Sequence, residues 1–392
     1  MDIEVIDYNS CSAAGINITE LRNALGSYQS GLVKNCIPGS DIETWIGKVA
    51  DVDAMNDLGE WQSRNNALAA LGLEQGTLKA TIANITQRYG AARVGLVMGS
   101  STSSIDRTET AYTQRDDHGE LSAPFRQPLV HNPHAPSLFV AHYTGIKGPA
   151  LTINTACSSS AKVFVTAARW LEHHVVDAVL VGGVDTLCLS VLHGFNSLQL
   201  LSPHPCKPFD QYRDGINLGE ASGYAILQRK GENDNSLGVK LAGYGESSDA
   251  HHMSHPHPEG LGARMSMNQA LKRANLDASV IDYINLHGTS SRANDVIEGG
   301  LIAELFPRTT QCSSTKAWMG HTLGAAGITE AIITMDALLT DLVPGSMNLE
   351  TLDEALDFSI QSNNQTRQCH HVMTNSFGFG GNNCTLLFSR VE

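Results

Sequence analysis

Short runs rich in Val, Ile and Leu alternate along this chain with longer Ala-rich stretches whose apolar residues recur at helical spacing. ARVGLVMGSS at 92–101, ALTINTA at 150–156 and DAVLVGGVDTL at 177–187 are of the first kind, and KVFVTAARWLEHH, starting at Lys162, is of the second. That alternation predicts an α/β fold, and the nearly continuous apolar character of the strands predicts sheets covered by helices on both faces. A second series follows the charged, Asn-containing stretch RKGENDNS at 229–236. It comprises a strand in LGVKLAGYGE, a helix near 262–274, a strand in VIDYINLHGTS and a helix in ITEAIITMDALLT at 328–340. The chain therefore reads as two halves of similar plan, 1–230 and 231–392. In each, a short strand runs through a turn of small residues into a helix, once at TINTACSSSA and once at SSTKAWMGHTLGAAG. The polar stretches 105–135 and 248–263, with Gly, Pro and His, are expected to be loops of the kind that form binding surfaces.

Composition narrows this picture. A length of 392 residues with 42% hydrophobic residues supports one large core or two medium ones. The net charge of -14 and the absence of any Lys/Arg run argue against nucleic-acid binding, which needs clustered cations to neutralise phosphates. The start, MDIEVIDYNSCSAAG, has neither a positive leader nor a long apolar segment, and no uninterrupted apolar run of membrane-spanning length occurs, so a soluble, cytoplasmic protein without a membrane span is expected. Eight cysteines at irregular spacing, with no CxxC pair, point to reduced thiols rather than disulfides.

Candidate chemistry lies at the turns. Cys157 directly follows the strand LTIN and opens the helix-favouring segment SSSAKVFVTAARWL. The partial positive charge of a helix N-terminus favours a thiolate, and a free amide at the turn can receive an oxyanion. A single cysteine is more often a small buried hydrophobe, so the case needs partners. His287, in DYINLHGTSS, leaves an apolar strand at the sheet edge where α/β proteins bind ligands, and His321, in MGHTLGAAG, sits on a Gly-rich turn with Lys316 shortly before it. A poised cysteine with two histidines implies acyl transfer. In TNSFGFGGNNCTLLF, Phe377 and Phe379 stand among three glycines, a turn able to bring backbone N–H groups to a substrate oxygen while an aromatic ring gates a pocket. His251, His252, His255 and His257 crowd DAHHMSHPHPEG without completing a zinc pattern, and no metal is expected.

Five motifs occur in order: TACSSSA around Cys157, KPFDQYRDGINLGEAS at 207–222, HGTSSRANDVIE at 287–298, TKAWMGHTLGAAG at 315–327 and NSFGFGG at 375–381. On these the chain resembles the β-ketoacyl-acyl-carrier-protein synthases of the thiolase superfamily over nearly its whole length. HGTSS looks closest to the class I elongating enzymes, and histidine at both positions sets the chain apart from the Cys-His-Asn initiating branch. The resemblance implies a five-layer α-β-α-β-α fold built from two similar halves. It implies that Cys157 accepts an acyl chain from an acyl-carrier thioester, with the amides of Cys157 and Phe379 holding the oxyanion. His287 and His321 then bond the thioester carbonyl of malonyl carrier protein while carbon dioxide leaves. Lys316 would orient the site electrostatically, Glu298 would buttress it, Thr289 and Ser291 match hydroxyls that hold the phosphopantetheine arm, and Phe377 and Phe379 match the gate.

No bound cofactor is implied beyond the 4'-phosphopantetheine arm of acyl carrier protein, which is the expected partner, alongside a homodimer or a heterodimer with a related ketosynthase-like subunit. Three departures accompany the match: NSCSAAG and GINLGEAS are poorer in Gly than the family pattern, and DVDAMNDLGEWQSR is acidic where carrier-docking members often place Arg and Lys. Docking through Arg115 or Arg126, or on a partner subunit, would accommodate this. Two other readings are a non-catalytic chain-length-factor-like subunit, against which the intact Cys157, His287 and His321 argue, and a degradative thiolase, against which the second histidine argues.

Overall fold

A computed structural model of the chain describes residues 2–231 and 236–391; of the charged stretch at 229–236, residues 232–235 lie outside the described residues. Ten strands form the main sheet: β1 (Ile3–Ser12), β2 (Val94–Gly99), β3 (Ala150–Ile153), β4 (Ala178–Asp185), β5 (Ala221–Arg229), β6 (Val239–Ser248), β7 (Tyr283–Asn285), β8 (Gln311–Ser313), β9 (His371–Gly378) and β10 (Asn382–Arg390). Their order is β8-β7-β9-β10-β6-β1-β5-β4-β2-β3. Counted inward from either edge, successive neighbours pair parallel, parallel, antiparallel, antiparallel. The two five-stranded sets thus share one plan. They meet through the short antiparallel pairing of Ile3, Glu4 and Val5 with Leu241, Lys240 and Val239.

Helices α1 (Arg64–Glu74), α2 (Leu78–Tyr89) and α3 (Ala135–Thr144) cover the outer face of the first set, where Leu68, Ile82 and Phe139 join Leu96, Leu180 and Ile226 in one core. Helices α4 (Ser159–Glu172) and α7 (Ala326–Thr340) fill the space between the sets. Val163, Phe164, Ile328 and Ile332 pack there with Ala225 of β5 and Leu386 of β10, and the Phe164 ring meets Phe388 edge-on at 5.6 Å. Helices α5 (Leu261–Ala274) and α6 (Arg292–Leu305) close the far side on Ile284, Met373 and Leu387. The result is the five-layer α-β-α-β-α arrangement. Central helices α4 and α7 approach to backbone contact, since a Cβ on Gly327 would stand 2.4 Å from the Ala161 amide nitrogen.

Residues Leu323–Thr340 are long and apolar enough to cross a membrane by average hydropathy, yet 89% of them are buried, as befits the core helix of the middle layer. The stretch 105–135, expected to be loop, contains a helix at Ile105–Thr113, because its polar residues face outward over a single fully buried apolar side chain, Ala111. All eight cysteines are free, and only Cys36 is exposed.

Candidate active site

Three turns converge at one end of the central layer. The first joins β3 to α4: Ala156 adopts a left-handed φ of +51°, and this kink presents Cys157 two residues before the helix begins. The second follows β7 and carries His287. The third follows the short helix Lys316–Met319 and carries His321. Cys157 Sγ lies 3.0 Å from His321 Nε2, the His287 and His321 rings meet edge-to-face at 5.5 Å, and one ligand-capable atom from each of the three residues falls within 4.8 Å of the others. All three side chains are buried at a cavity of about 330 Å³ that they help line.

Hydrogen bonds fix the protonation of the site. The Leu323 N–H donates to His321 Nδ1 at 3.3 Å, so in the neutral ring the proton resides on Nε2, facing Cys157. Burial, and then the positive charge of Lys316, hold both imidazoles well below the usual histidine range; for His287 the neighbouring His321 adds to the effect. Both rings are therefore neutral donors at pH 7. His287 Nδ1 is buried with no protein partner.

The expectation of a helix-lowered thiol at Cys157 is corrected by burial, which pushes it up to about 11 against the opposing influence of Lys316 and the backbone N–H groups of Phe379 and Cys157.

Lys316 is itself buried and bonds Glu330 of α7, away from the cavity lining. Burial pushes Glu330 up to about 7 despite that lysine. Glu298 of α6 accepts the amides of His287 and Gly288, each at 2.8 Å, and the side-chain amide of Asn375 at 3.2 Å, so it fixes the backbone of the His287 turn rather than touching the cavity. Thr289 and Ser291 bond each other at 2.9 Å and both line the cavity. Phe379 stacks on Phe195 at 5.4 Å, and Phe377 lies 5.9 Å from the His287 ring. The turn bearing Phe379 presses on the Cys157 turn: a Cβ on Gly378 would meet Thr155 O at 2.9 Å and Cys157 N at 3.2 Å, and Gly380 and Gly381 both take φ of +74°. Only glycines permit this approach.

Cys157, His287, Thr289, Ser291, His321, Phe377 and Phe379 thus line one cavity with Lys316 and Glu298 behind them, whereas Arg115 and Arg126 do not border it. Sequence reasoning missed Glu330, Asp185 and Phe195. The available signal was an acid set within an apolar run, Glu330 in ITEAIITMDALLT and Asp185 in DAVLVGGVDTL, each of which needs a partner when buried. The four clustered histidines stay separate pairs, His251 with His257 and His252 with His255; of these only His255 reaches the cavity.

The family model described as beta-ketoacyl synthase, N-terminal domain, matches residues 43–233, and that described as beta-ketoacyl synthase, C-terminal domain, matches residues 239–350. The 3-oxoacyl-(acyl-carrier-protein) synthase 2 of Vibrio harveyi is 31% identical over 97% of this chain and 96% of its own length, and that of Vibrio cholerae is 33% identical over 77% of each. Among solved structures, a ketosynthase from Xenorhabdus doucetiae in complex with its chain length factor superposes with a TM-score of 0.88 at 36% identity, covering 100% of this chain and 98% of that one. The ishigamide ketosynthase/chain length factor shares the fold with a TM-score of 0.91 at 21% identity, covering 100% of this chain and 99% of that one.

Proposed function

Since the chain belongs to the β-ketoacyl synthase family, we propose that it joins an acyl chain held on Cys157 to the two-carbon unit left when malonyl carrier protein loses carbon dioxide. The observation that carries this reading is the 3.0 Å approach of His321 Nε2 to Cys157 Sγ, with the neutral His287 ring edge-on beside it.

In the first half-reaction the sulfur attacks the carbonyl carbon of an acyl thioester. The tetrahedral oxyanion is received by the amides of Cys157 and Phe379, which already face the sulfur. The carbon–sulfur bond to the carrier breaks, the carrier leaves as its thiol with the proton given up by Cys157, and the acyl chain stays on the enzyme. In the second, the malonyl thioester carbonyl accepts hydrogen bonds from the two imidazoles. Cleavage of the carboxylate carbon–carbon bond releases carbon dioxide and leaves its electron pair in an enolate. Neutral rings suit this step, because an imidazolium would protonate the enolate and waste it. The enolate carbon then attacks the acyl-cysteine carbonyl, the carbon–sulfur bond breaks with the sulfur leaving as a thiolate, and a proton from solvent restores the Cys157 thiol.

Lys316 stabilises the thiolate and keeps both rings neutral, and Glu298 holds the His287 turn. Thr289 and Ser291 stand where a phosphopantetheine arm enters the cavity, with Phe377 and Phe379 beside the reacting atoms. Acyl carrier protein is the partner that delivers both substrates. The relative from Xenorhabdus doucetiae, solved with its chain length factor, supports a second reading for assembly, in which this chain is the active member of a heterodimer.

The reading is tested by incubating the purified protein, alone and with a co-expressed ketosynthase-like partner, with acyl carrier-protein primers and malonyl carrier protein. A β-ketoacyl product two carbons longer than the primer is expected. Carbon dioxide release and acyl transfer both absent under either condition would overturn it.

A further inference from the structure

Asp185 is the last residue of β4, wholly buried, and makes no contact with the cavity. Its two oxygens accept from six N–H and O–H groups: the Ser100 hydroxyl at 2.6 Å, the Ser101 amide and hydroxyl at 2.8 and 2.6 Å, the Thr102 amide and hydroxyl at 2.9 and 2.7 Å, and the Gly324 amide at 2.6 Å. Five of these secure the turn after β2. The sixth reaches across 139 residues of sequence to the turn that bears His321.

The Gly324 amide is the immediate neighbour of the Leu323 amide, which donates to His321 Nδ1. Leu323 itself sits at a left-handed φ of +56°, a conformation a leucine does not hold unaided. A charge-assisted bond at 2.6 Å on the next amide, backed by a second contact from Gly324 N to Ser101 Oγ at 3.2 Å, supplies the restraint. With the Leu323 N–H held toward the ring, Nδ1 must present a lone pair and the proton must stay on Nε2. Without it, the ring is free to carry its proton on Nδ1 and would turn a bare Nε2 toward the substrate carbonyl, an acceptor facing an acceptor.

We infer that Asp185 is a positioning residue which, by gripping the Gly324 amide, orients the Leu323 N–H and thereby selects the Nε2-protonated tautomer of His321. The mechanistic consequence rests on the condensing function proposed above, whereas the tautomer itself does not. The selection bears most on malonyl decarboxylation, where Nε2–H must donate, and less on acyl transfer, where the amides of Cys157 and Phe379 receive the charge.

The test is nitrogen NMR of histidine-labelled full-length protein, with His321 assigned by its loss in His321→Gln, combined with separate assays of acyl transfer and malonyl decarboxylation. In the wild type His321 is expected to show a protonated Nε2 and a bare Nδ1; a protonated Nδ1 overturns the inference. In Asp185→Asn a mixture of tautomers is expected, with decarboxylation lowered on the order of tenfold to a hundredfold, the range typical when an outer hydrogen-bond partner that holds a functional side chain in place is lost, and acyl transfer lowered less. An unchanged tautomer, or equal loss of both half-reactions, overturns it. Should that variant fail to fold, Ser101→Ala, which removes the hydroxyl linking the carboxylate to the Gly324 amide, is read by the same criteria with a smaller shift expected. A wild type that never condenses would sink the proposed function and leave the tautomer result standing on its own.

Discussion

Cys157 Sγ and His321 Nε2 lie 3.0 Å apart although 164 residues separate them in sequence, and they come from different halves of the fold. The proximity is a product of the central layer: α4 begins two residues after Cys157, α7 begins five residues after His321, and the two helices touch at Ala161 and Gly327. Packing between helices thus sets the distance between the Cys157 sulfur and the His321 ring.

His321→Ala is expected to lower malonyl decarboxylation by about 10²–10³, the usual effect of removing one donor from a developing oxyanion. Acylation of Cys157 should fall less. Carbon dioxide release and single-turnover acyl transfer, measured separately, check this, and equal losses would contradict the assignment.

Gly378→Ala should slow acyl transfer at least about tenfold with little change in decarboxylation. Its Cβ would stand 2.9 Å from Thr155 O and force the Phe379 amide away from Cys157. The comparison is made by the rate of adduct formation on Cys157.

Much of this was legible in the chain. Strands β2, β4 and β6 and helices α4, α5 and α7 fall close to where apolar runs and helical periodicity place them, because each is buried on a continuous face. Strand β1 is not marked in this way: all ten of its residues are buried, yet Glu4, Asp7, Asn9, Ser10 and Ser12 are polar, and distant groups meet two of them, Thr77 and Thr81 donating to Asp7 and Asn9 donating to Gly72 O. Helix α1 was hidden likewise, with Asn65 and Asn66 buried in it. The residues proposed to react were legible because small-residue turns mark them. The raised thiol of Cys157 was not, because a helix N-terminus can be read from sequence and complete burial cannot.

Lys316→Ala leaves Glu330 buried without its cation and should cost on the order of 3–5 kcal/mol, measured by denaturant unfolding. Replacing both members with apolar residues of similar volume should recover most of that loss. A single variant as stable as the wild type would show that the pair carries no such weight.

Stability should depend on pH in two opposed ways. His287 and His321 bind protons less readily when folded than at the ordinary 6.5, so their contribution is present above pH 6.5 and is lost as pH falls. Glu298 and Glu330, pushed up from 4.5 to about 7, contribute fully below pH 4.5 and lose that contribution as pH rises toward 7. Accordingly, His321→Gln should flatten the acid limb of stability against pH, and Glu298→Gln should flatten the fall between pH 4.5 and 7. Unfolding titrations across pH 4–8 read both slopes.

The central claim, that Cys157 carries the acyl chain between two half-reactions driven by these neighbours, is tested most directly by intact-protein mass spectrometry with peptide mapping. The protein is first given an acyl carrier-protein primer and then chased with malonyl carrier protein. An acyl adduct confined to the Cys157 peptide, discharged by the chase as a β-ketoacyl product two carbons longer, is the predicted result. An adduct on another residue, or a product formed equally well by Cys157→Ala, would contradict it.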